Sequence, residues 1–172
     1  MTRRAALLFF PLAIPVFSFQ EKRKSPHETV SAELNGKKIE ITYGRPYLKG
    51  RKMSSVTPDG QVWRLGADEA TKLTVGLPVI IGKELKLAPG SYSLFAITGP
   101  DKWTMIVNKT ADQWGAFSYQ ESQDTGRFDL PVHKTASPVE EFTITLGTAR
   151  GSEVPLTLAW GDQQVETIIK AS

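Results

Sequence analysis

Apolar residues recur at every second position along most of this chain. From Thr29 to Leu34, Val30, Ala32 and Leu34 alternate with polar residues, and beyond Asn35-Gly36 the pattern resumes at Ile39, Ile41 and Tyr43. A period of two puts alternate side chains on opposite faces of an extended strand. Asn-Gly accepts the positive backbone angles of a two-residue hairpin, so this segment predicts a β-hairpin. Further strands are predicted over 61–64, 72–75, 79–81, 84–87, 92–98, 103–108, 114–119, 128–132, 140–146, 155–160 and 164–170. Turn residues separate them about every ten positions, the spacing of a sandwich or barrel. Helical periodicity is nearly absent, with at most a single turn over 67–72. Pro46, Gly50, Pro58 and Gly60 mark 46–60 as a long loop, and long loops in compact domains are often functional. The pattern predicts an all-β fold, a single antiparallel β-sandwich of jelly-roll-like character.

The N-terminus breaks this pattern. Arg3 and Arg4 precede an apolar run from Ala5 to Phe17 that Pro11 and Pro15 interrupt. The run is shorter than the roughly 20 residues of a membrane span and has the form of a secretory signal peptide. Val16-Phe17-Ser18 places cleavage after Ser18, although no A-x-A triplet is present. The general secretory route fits better than the twin-arginine one. The expected organisation is a signal peptide at 1–18, an N-terminal lead-in at 19–28 and the sandwich at 29–172. No transmembrane segment remains after signal removal, so the expected location is periplasmic or extracellular, as a soluble protein.

Signal removal also changes the charge. The formal net charge of +3 rests on 21 basic and 18 acidic residues. Loss of Arg3 and Arg4 leaves a balance of about +1. No basic stripe remains to neutralise phosphates, which removes nucleic acid as a partner. The chain has no cysteine, which excludes thiol catalysis, iron–sulfur clusters, thiolate zinc sites and a lipidated N-terminal cysteine. A core of this size needs no disulfide.

Catalytic templates are scarce. There is no G-x-S-x-G elbow, H-E-x-x-H motif or phosphate-cradling glycine loop. The two histidines are His27 and His133, and His133 reads as surface. His27 and Glu28 are neighbours, so on a strand they would face opposite ways and would converge only in a loop, which Pro26 allows. Asp68-Glu69 and Glu140-Glu141 offer carboxylate pairs, but adjacency is no sign of the facing geometry that glycoside hydrolysis needs. No metal or cofactor is expected.

The sharper signal is the stretch from Tyr43 to Thr71, which carries Arg45, Lys49, Arg51, Arg64, Asp68 and Glu69 beside Trp63. Guanidinium groups recognise carboxylate, phosphate or sulfate in a planar fork, and Trp63 and Trp114 offer flat faces to sugar rings. One reading is a groove for an anionic or glycan-type ligand, with Arg45, Lys49, Arg51 and Arg64 as donors, Glu69 orienting them and Trp63 as a wall. The competing reading is internal. A buried arginine must be paired, so Arg64 and Glu69 would hold the loop against the sandwich, with Trp63 in the core. Trp103, Trp114, Phe117 and Tyr119 invite a carbohydrate-platform reading, but aromatics on sandwich strands read as core, as does Trp160; Trp114 is also a secondary candidate beside His27 and Glu28.

The motifs S-P-H-E (25–28), Y-G-R-P…K-G-R (43–51) and V-W-R-x-G-A-x-E-A-T (62–71) resemble those of an uncharacterised bacterial family, domain of unknown function 2911. The similarity continues through L-A-P-G-S-Y-S-L-F (87–95), W-T-M-I-V-N-K (103–109), Q-W-G-A-F-S-Y (113–119) and S-P-V-E-E-F-T-I (137–144). It spans essentially the whole mature chain. The resemblance implies a compact exported domain and carries no activity, substrate or catalytic residue. Asp68 departs from it where asparagine is expected, which adds negative charge beside Glu69. Leu87-Ala88-Pro89-Gly90 also departs from the usual leucine-proline-alanine-glycine order.

The expected function is non-catalytic binding of a small anionic or glycan-type ligand. Two alternatives stand beside it. One is a hydrolase or isomerase using His27, Glu28 and Glu69; the other is a structural envelope protein with an internal Arg/Glu scaffold.

Overall fold

The computed structural model describes residues 25–172; the expected signal peptide and most of the lead-in lie outside them. The first hairpin forms as the alternation predicts. β1 (His27–Leu34) pairs antiparallel with β2 (Lys37–Gly44), from Leu34 opposite Lys37 to His27 opposite Gly44. Asn35 and Gly36 turn the chain at φ 50° and 71°, angles at which the absent Cβ of glycine relieves the clash other residues meet.

Beyond it come β3 (Val62–Trp63), β4 (Thr71–Val75), β5 (Val79–Ile81), β6 (Leu85–Leu87), β7 (Gly90–Ile97) and β8 (Lys102–Asn108). β9 (Asp124–Pro131), β10 (His133–Leu146) and β11 (Glu153–Ala171) complete the chain. One sheet runs β1-β2-β4-β7-β8-β9, with β3 also paired to β7, and the other runs β10-β11-β5-β6. All pairings are antiparallel. The fold is an antiparallel β-sandwich. Among the described residues no helix is long and apolar enough to cross a membrane.

The core lies between the sheets. Ile39, Ile41 and Tyr43 of β2 and Leu73 and Val75 of β4 meet Phe142, Ile144, Leu156, Leu158 and Trp160 of the smaller sheet. Trp63 stacks on Trp160, with ring centroids 5.4 Å apart and planes 16° apart, and meets Trp103 and Phe142 edge-on. Each indole N–H is bonded: Trp63 to Gly66 O, Trp103 to Gln163 Oε1 and Trp160 to Glu140 O. These rings therefore bury large apolar area without orphaning a donor.

Alternation also decides what lies on the other face of the larger sheet. Phe95 and Ile106 sit between inward-facing neighbours on β7 and β8 and point outward. They form a second small cluster with Ala70, packed by Val62, Ile97, Ala116 and Tyr119. The segment after β8 folds back over this outer face to cover them.

Several elements differ from the sequence expectation. Residues 114–119 form turns rather than a strand, with only an isolated bridge pairing Trp114 to Glu69. Gly115 at φ 66° bends the chain there. The expected strands 155–160 and 164–170 are one long strand, because Gly161 bends β11 within the sheet without ending it; the β10–β11 register shifts beside it. β10 begins at His133, which is exposed as expected. Among the described residues an α-helical turn falls at α1 (Met53–Val56), inside the long loop, and a 3-10 turn at Glu121–Gln123, with none over 67–72.

Candidate functional site

The edge of the smaller sheet determines the fate of the loop cations. β10 is an edge strand, and the outward backbone groups of an edge need cover. The segment following β2 supplies it. Phe142 N–H donates to Pro46 O, Leu48 N–H donates to Glu140 O, and Tyr47 bridges Glu141. The Tyr43 hydroxyl accepts from Ile144 N–H at 2.8 Å and donates toward Glu28 Oε2 at 3.2 Å. Burial pushes the Tyr43 phenol up to about 12, opposed by its bond to the Ile144 backbone and aided by the Glu28 charge.

Arg45 belongs to the same seam. Its guanidinium reaches Glu28 at 2.9 Å and Glu141 at 3.3 Å, and donates to Phe142 O and Thr143 Oγ1. Arg51 donates to the carbonyls of Leu48 and Tyr47, and Lys49 is exposed, with its backbone N–H bonded to Glu140. None of these three cations lines the cleft that holds His27 and Glu69. Arg51 instead borders a separate groove with Met53, Pro138 and Gly161. Arg64 donates to Asp68 O at 2.9 Å, while Glu69, its expected partner, contacts His27. Trp63 is 8% exposed within the core and forms no wall.

A different set converges. On β1, His27 and Glu28 diverge as neighbours on a strand must, Glu28 toward the sheet seam and His27 to the other side. His27 Nε2 lies 2.8 Å from Glu69 Oε2. His27, Glu69 and Trp114 line one cleft of about 450 Å³ with Thr42, Lys72 and Gln113, within the size range of small-molecule sites.

The backbone explains how Glu69 arrives there. The turn between β3 and β4 crosses β2 so closely that a Cβ on Gly44 would stand 2.2 Å from Ala67 O. Only glycine permits that approach. Leu65 at φ 53° and Asp68 at φ 64° then swing the chain outward. Ala70 N–H donates to Gln113 O and Gly115 N–H to Asp68 O, tying the turn to the Trp114 segment.

The opposite wall is held by a buried amide. Gln113 Nε2 reaches Ser93 Oγ at 2.9 Å, Asn108 Oδ1 at 3.1 Å and Thr110 O at 2.7 Å. Lys72 Nζ bonds Asp112 Oδ1 at 2.8 Å across the cleft mouth. Trp114 is left 59% exposed and Phe117 85% exposed, contrary to the reading of both as core, because their segment is a loop on the outer face and not a strand. Lys72 and Thr42 were legible as polar alternates of their strands. Gln113 and Asp112 gave no signal, because their role depends on a loop crossing a sheet face.

The class this defines is a β-sandwich protein with a histidine–carboxylate cleft on the outer face of its larger sheet, roofed by an exposed tryptophan. Comparison with known families agrees with the motif resemblance. Residues 25–169 match the family described as protein of unknown function (DUF2911), and the chain belongs to it. No curated protein and no solved structure matches the chain.

Proposed function

We propose that this is an exported protein that binds a small, polyhydroxylated, glycan-type ligand in the cleft beside Trp114. The observation that carries the reading is the exposed Trp114 face adjoining a cleft whose rim alternates donors and acceptors: His27, Thr42, Glu69 and Lys72. Sugars present an apolar face and a ring of hydroxyls, and an indole beside mixed polar groups is complementary to both. An anionic ligand is less well supported. Arg45 and Arg51 bond to other protein groups, and Glu69 and Asp112 put negative charge in the cleft itself. Support for export comes from the basic and apolar N-terminal segment.

Thermal shift against neutral and acidic oligosaccharides tests this. A ligand at 100 times its Kd stabilises by about 2.7 kcal/mol, a rise on the order of 5 °C or more for a domain of this size. A neutral sugar should produce it, and Trp114→Ala should abolish it. No response from any sugar, or one that survives Trp114→Ala, would sink the reading.

One contact favours a second reading, acid–base catalysis on the same ligand class. An imidazole 2.8 Å from a carboxylate is oriented for proton transfer. Turnover lost in both His27→Ala and Glu69→Gln would establish it, and turnover retained in either would dismiss it.

A further inference from the structure

We propose that His27, Asp68 and Glu69 form a binding site for a divalent transition-metal ion, with Zn²⁺ or Mn²⁺ the best match. A ring nitrogen of His27 and one carboxylate oxygen from each of Asp68 and Glu69 lie within 4.8 Å of one another. Donors sharing an ion at bonds of 2.0–2.2 Å sit within about 4.4 Å of each other, twice the bond length. The 2.8 Å between His27 Nε2 and Glu69 Oε2 is already close to the spacing of adjacent ligands, about 3 Å for bonds at right angles.

The second observation is independent of proximity. His27 Nδ1 and Asp68 Oδ2 are both buried atoms without a hydrogen-bond partner. Buried polar atoms are nearly always satisfied, and an orphaned carboxylate oxygen beside His27 and Glu69 calls for an explanation. A bound cation supplies it for Asp68, since a carboxylate oxygen is a metal donor; the cation would take His27 through Nε2, the nitrogen facing Glu69, and Nδ1 on the other edge of the ring falls outside its reach.

Convergence of Asp68 with Glu69 also needs a cause, because neighbours in extended chain face apart. Asp68 has φ 64°, a left-handed conformation that breaks the alternation and that aspartate tolerates better than most residues. Its carbonyl is held by Arg64 Nη1 and by Gly115 N–H. His27 is set by the pairing of β1 with β2. The donors therefore stand on two elements fixed by separate backbone bonds, as a preorganised site requires.

The donor set selects the ion. Two carboxylates and a neutral imidazole balance a 2+ charge. Imidazole suits zinc, copper, iron and nickel, and carboxylate suits manganese, magnesium and calcium, so one histidine with two carboxylates favours Zn²⁺ or Mn²⁺ over Mg²⁺ or Ca²⁺. Three protein ligands leave a coordination position open, on the side where His27 and Glu69 line the cleft. The site would stand whether or not a sugar binds beside it.

The test uses untagged mature protein, dialysed against chelator and titrated calorimetrically with Zn²⁺, Mn²⁺ and Mg²⁺, with no sugar present. One equivalent of Zn²⁺ or Mn²⁺ should bind, with Mg²⁺ far weaker. His27→Ala and Asp68→Ala should each weaken binding by at least the roughly 10–100-fold that loss of even an outer-shell partner brings. His133→Ala should leave it unchanged. Imidazole-detected NMR of the wild type needs no variant: Zn²⁺ should shift the His27 ring signals and not those of His133. Absence of saturable one-to-one binding, an unmoved His27 ring, or affinity that follows His133 would overturn the proposal. Metal binding without a sugar response would leave this site standing and remove only the ligand reading, and the converse result would do the reverse.

Discussion

Replacing Tyr43 by phenylalanine removes one oxygen from the seam between the sheets. The ring keeps its packing, including its edge-on contact with Phe142 at 5.7 Å. What is lost is the acceptor for Ile144 N–H, bonded at 2.8 Å. β10 is an edge strand whose cover on that side, at 46–48, bonds at Glu140 and Phe142, and Tyr43 is 1% exposed, so neither strand nor bulk water takes the hydroxyl's place at Ile144. An orphaned buried N–H costs about 1–3 kcal/mol, and we expect a loss near 2 kcal/mol. At roughly 2–4 °C per kcal/mol for a domain of this size, Tm should fall by roughly 4–8 °C.

Tyr43 should also mark stability against alkali. Its folded pKa, raised to about 12 from 10, means the folded state resists ionisation. The contribution is fully present below pH 10 and is lost as pH rises toward 12. Tyr119 is raised to about 12 as well, by burial and its bond to Asp124, so Tyr43→Phe should flatten the alkaline decline in part. Urea denaturation across pH 8 to 12 measures both effects. Tyr92→Phe, whose hydroxyl donates to Ala88 O at an exposed site, is the control and should stay within about 0.5 kcal/mol. A Tyr43→Phe loss no larger than the control's would refute the edge-capping role.

Two further substitutions probe the same architecture. Arg45→Ala should destabilise by about 2–3 kcal/mol, less than a fully buried pair because Glu28 is 40% exposed. Arg64→Ala, whose guanidinium donates to one carbonyl, should lose only about 1 kcal/mol; denaturation curves giving the reverse order would contradict the role of Arg45 in the seam. Gly44→Ala forces a Cβ against Ala67 O and should cost at least about 2 kcal/mol. Because it displaces the turn bearing Asp68 and Glu69, metal titration of the folded variant should show weakened binding, and unaltered stability would argue against the close crossing.

The local pattern carried much of the fold. Period-two alternation placed the first hairpin, β4, β5, β7 and β8 within a residue or two, because a half-buried strand must alternate. It misread 114–119, where aromatic alternation reflects a loop draped over the outer face: Ala116 and Tyr119 pack on Phe95 and Ile106, while Trp114 and Phe117 stay exposed. For the cleft, His27, Glu69 and Trp114 were named from the chain, yet grouped with cations that lie elsewhere.

What the amino-acid sequence determined by itself was what depends on neighbours in the chain: strand periodicity, the Asn35-Gly36 turn, and the divergence of His27 from Glu28 once both lay on a strand. Only the tertiary structure decided which charges meet. Arg45 became an edge cap because β10, about a hundred residues later, lacks a strand on one side. Glu69 met His27, 42 positions away, because Gly44 lets one backbone pass close over another. Such meetings depend on sheet order and crossing distance, which short-range periodicity does not encode.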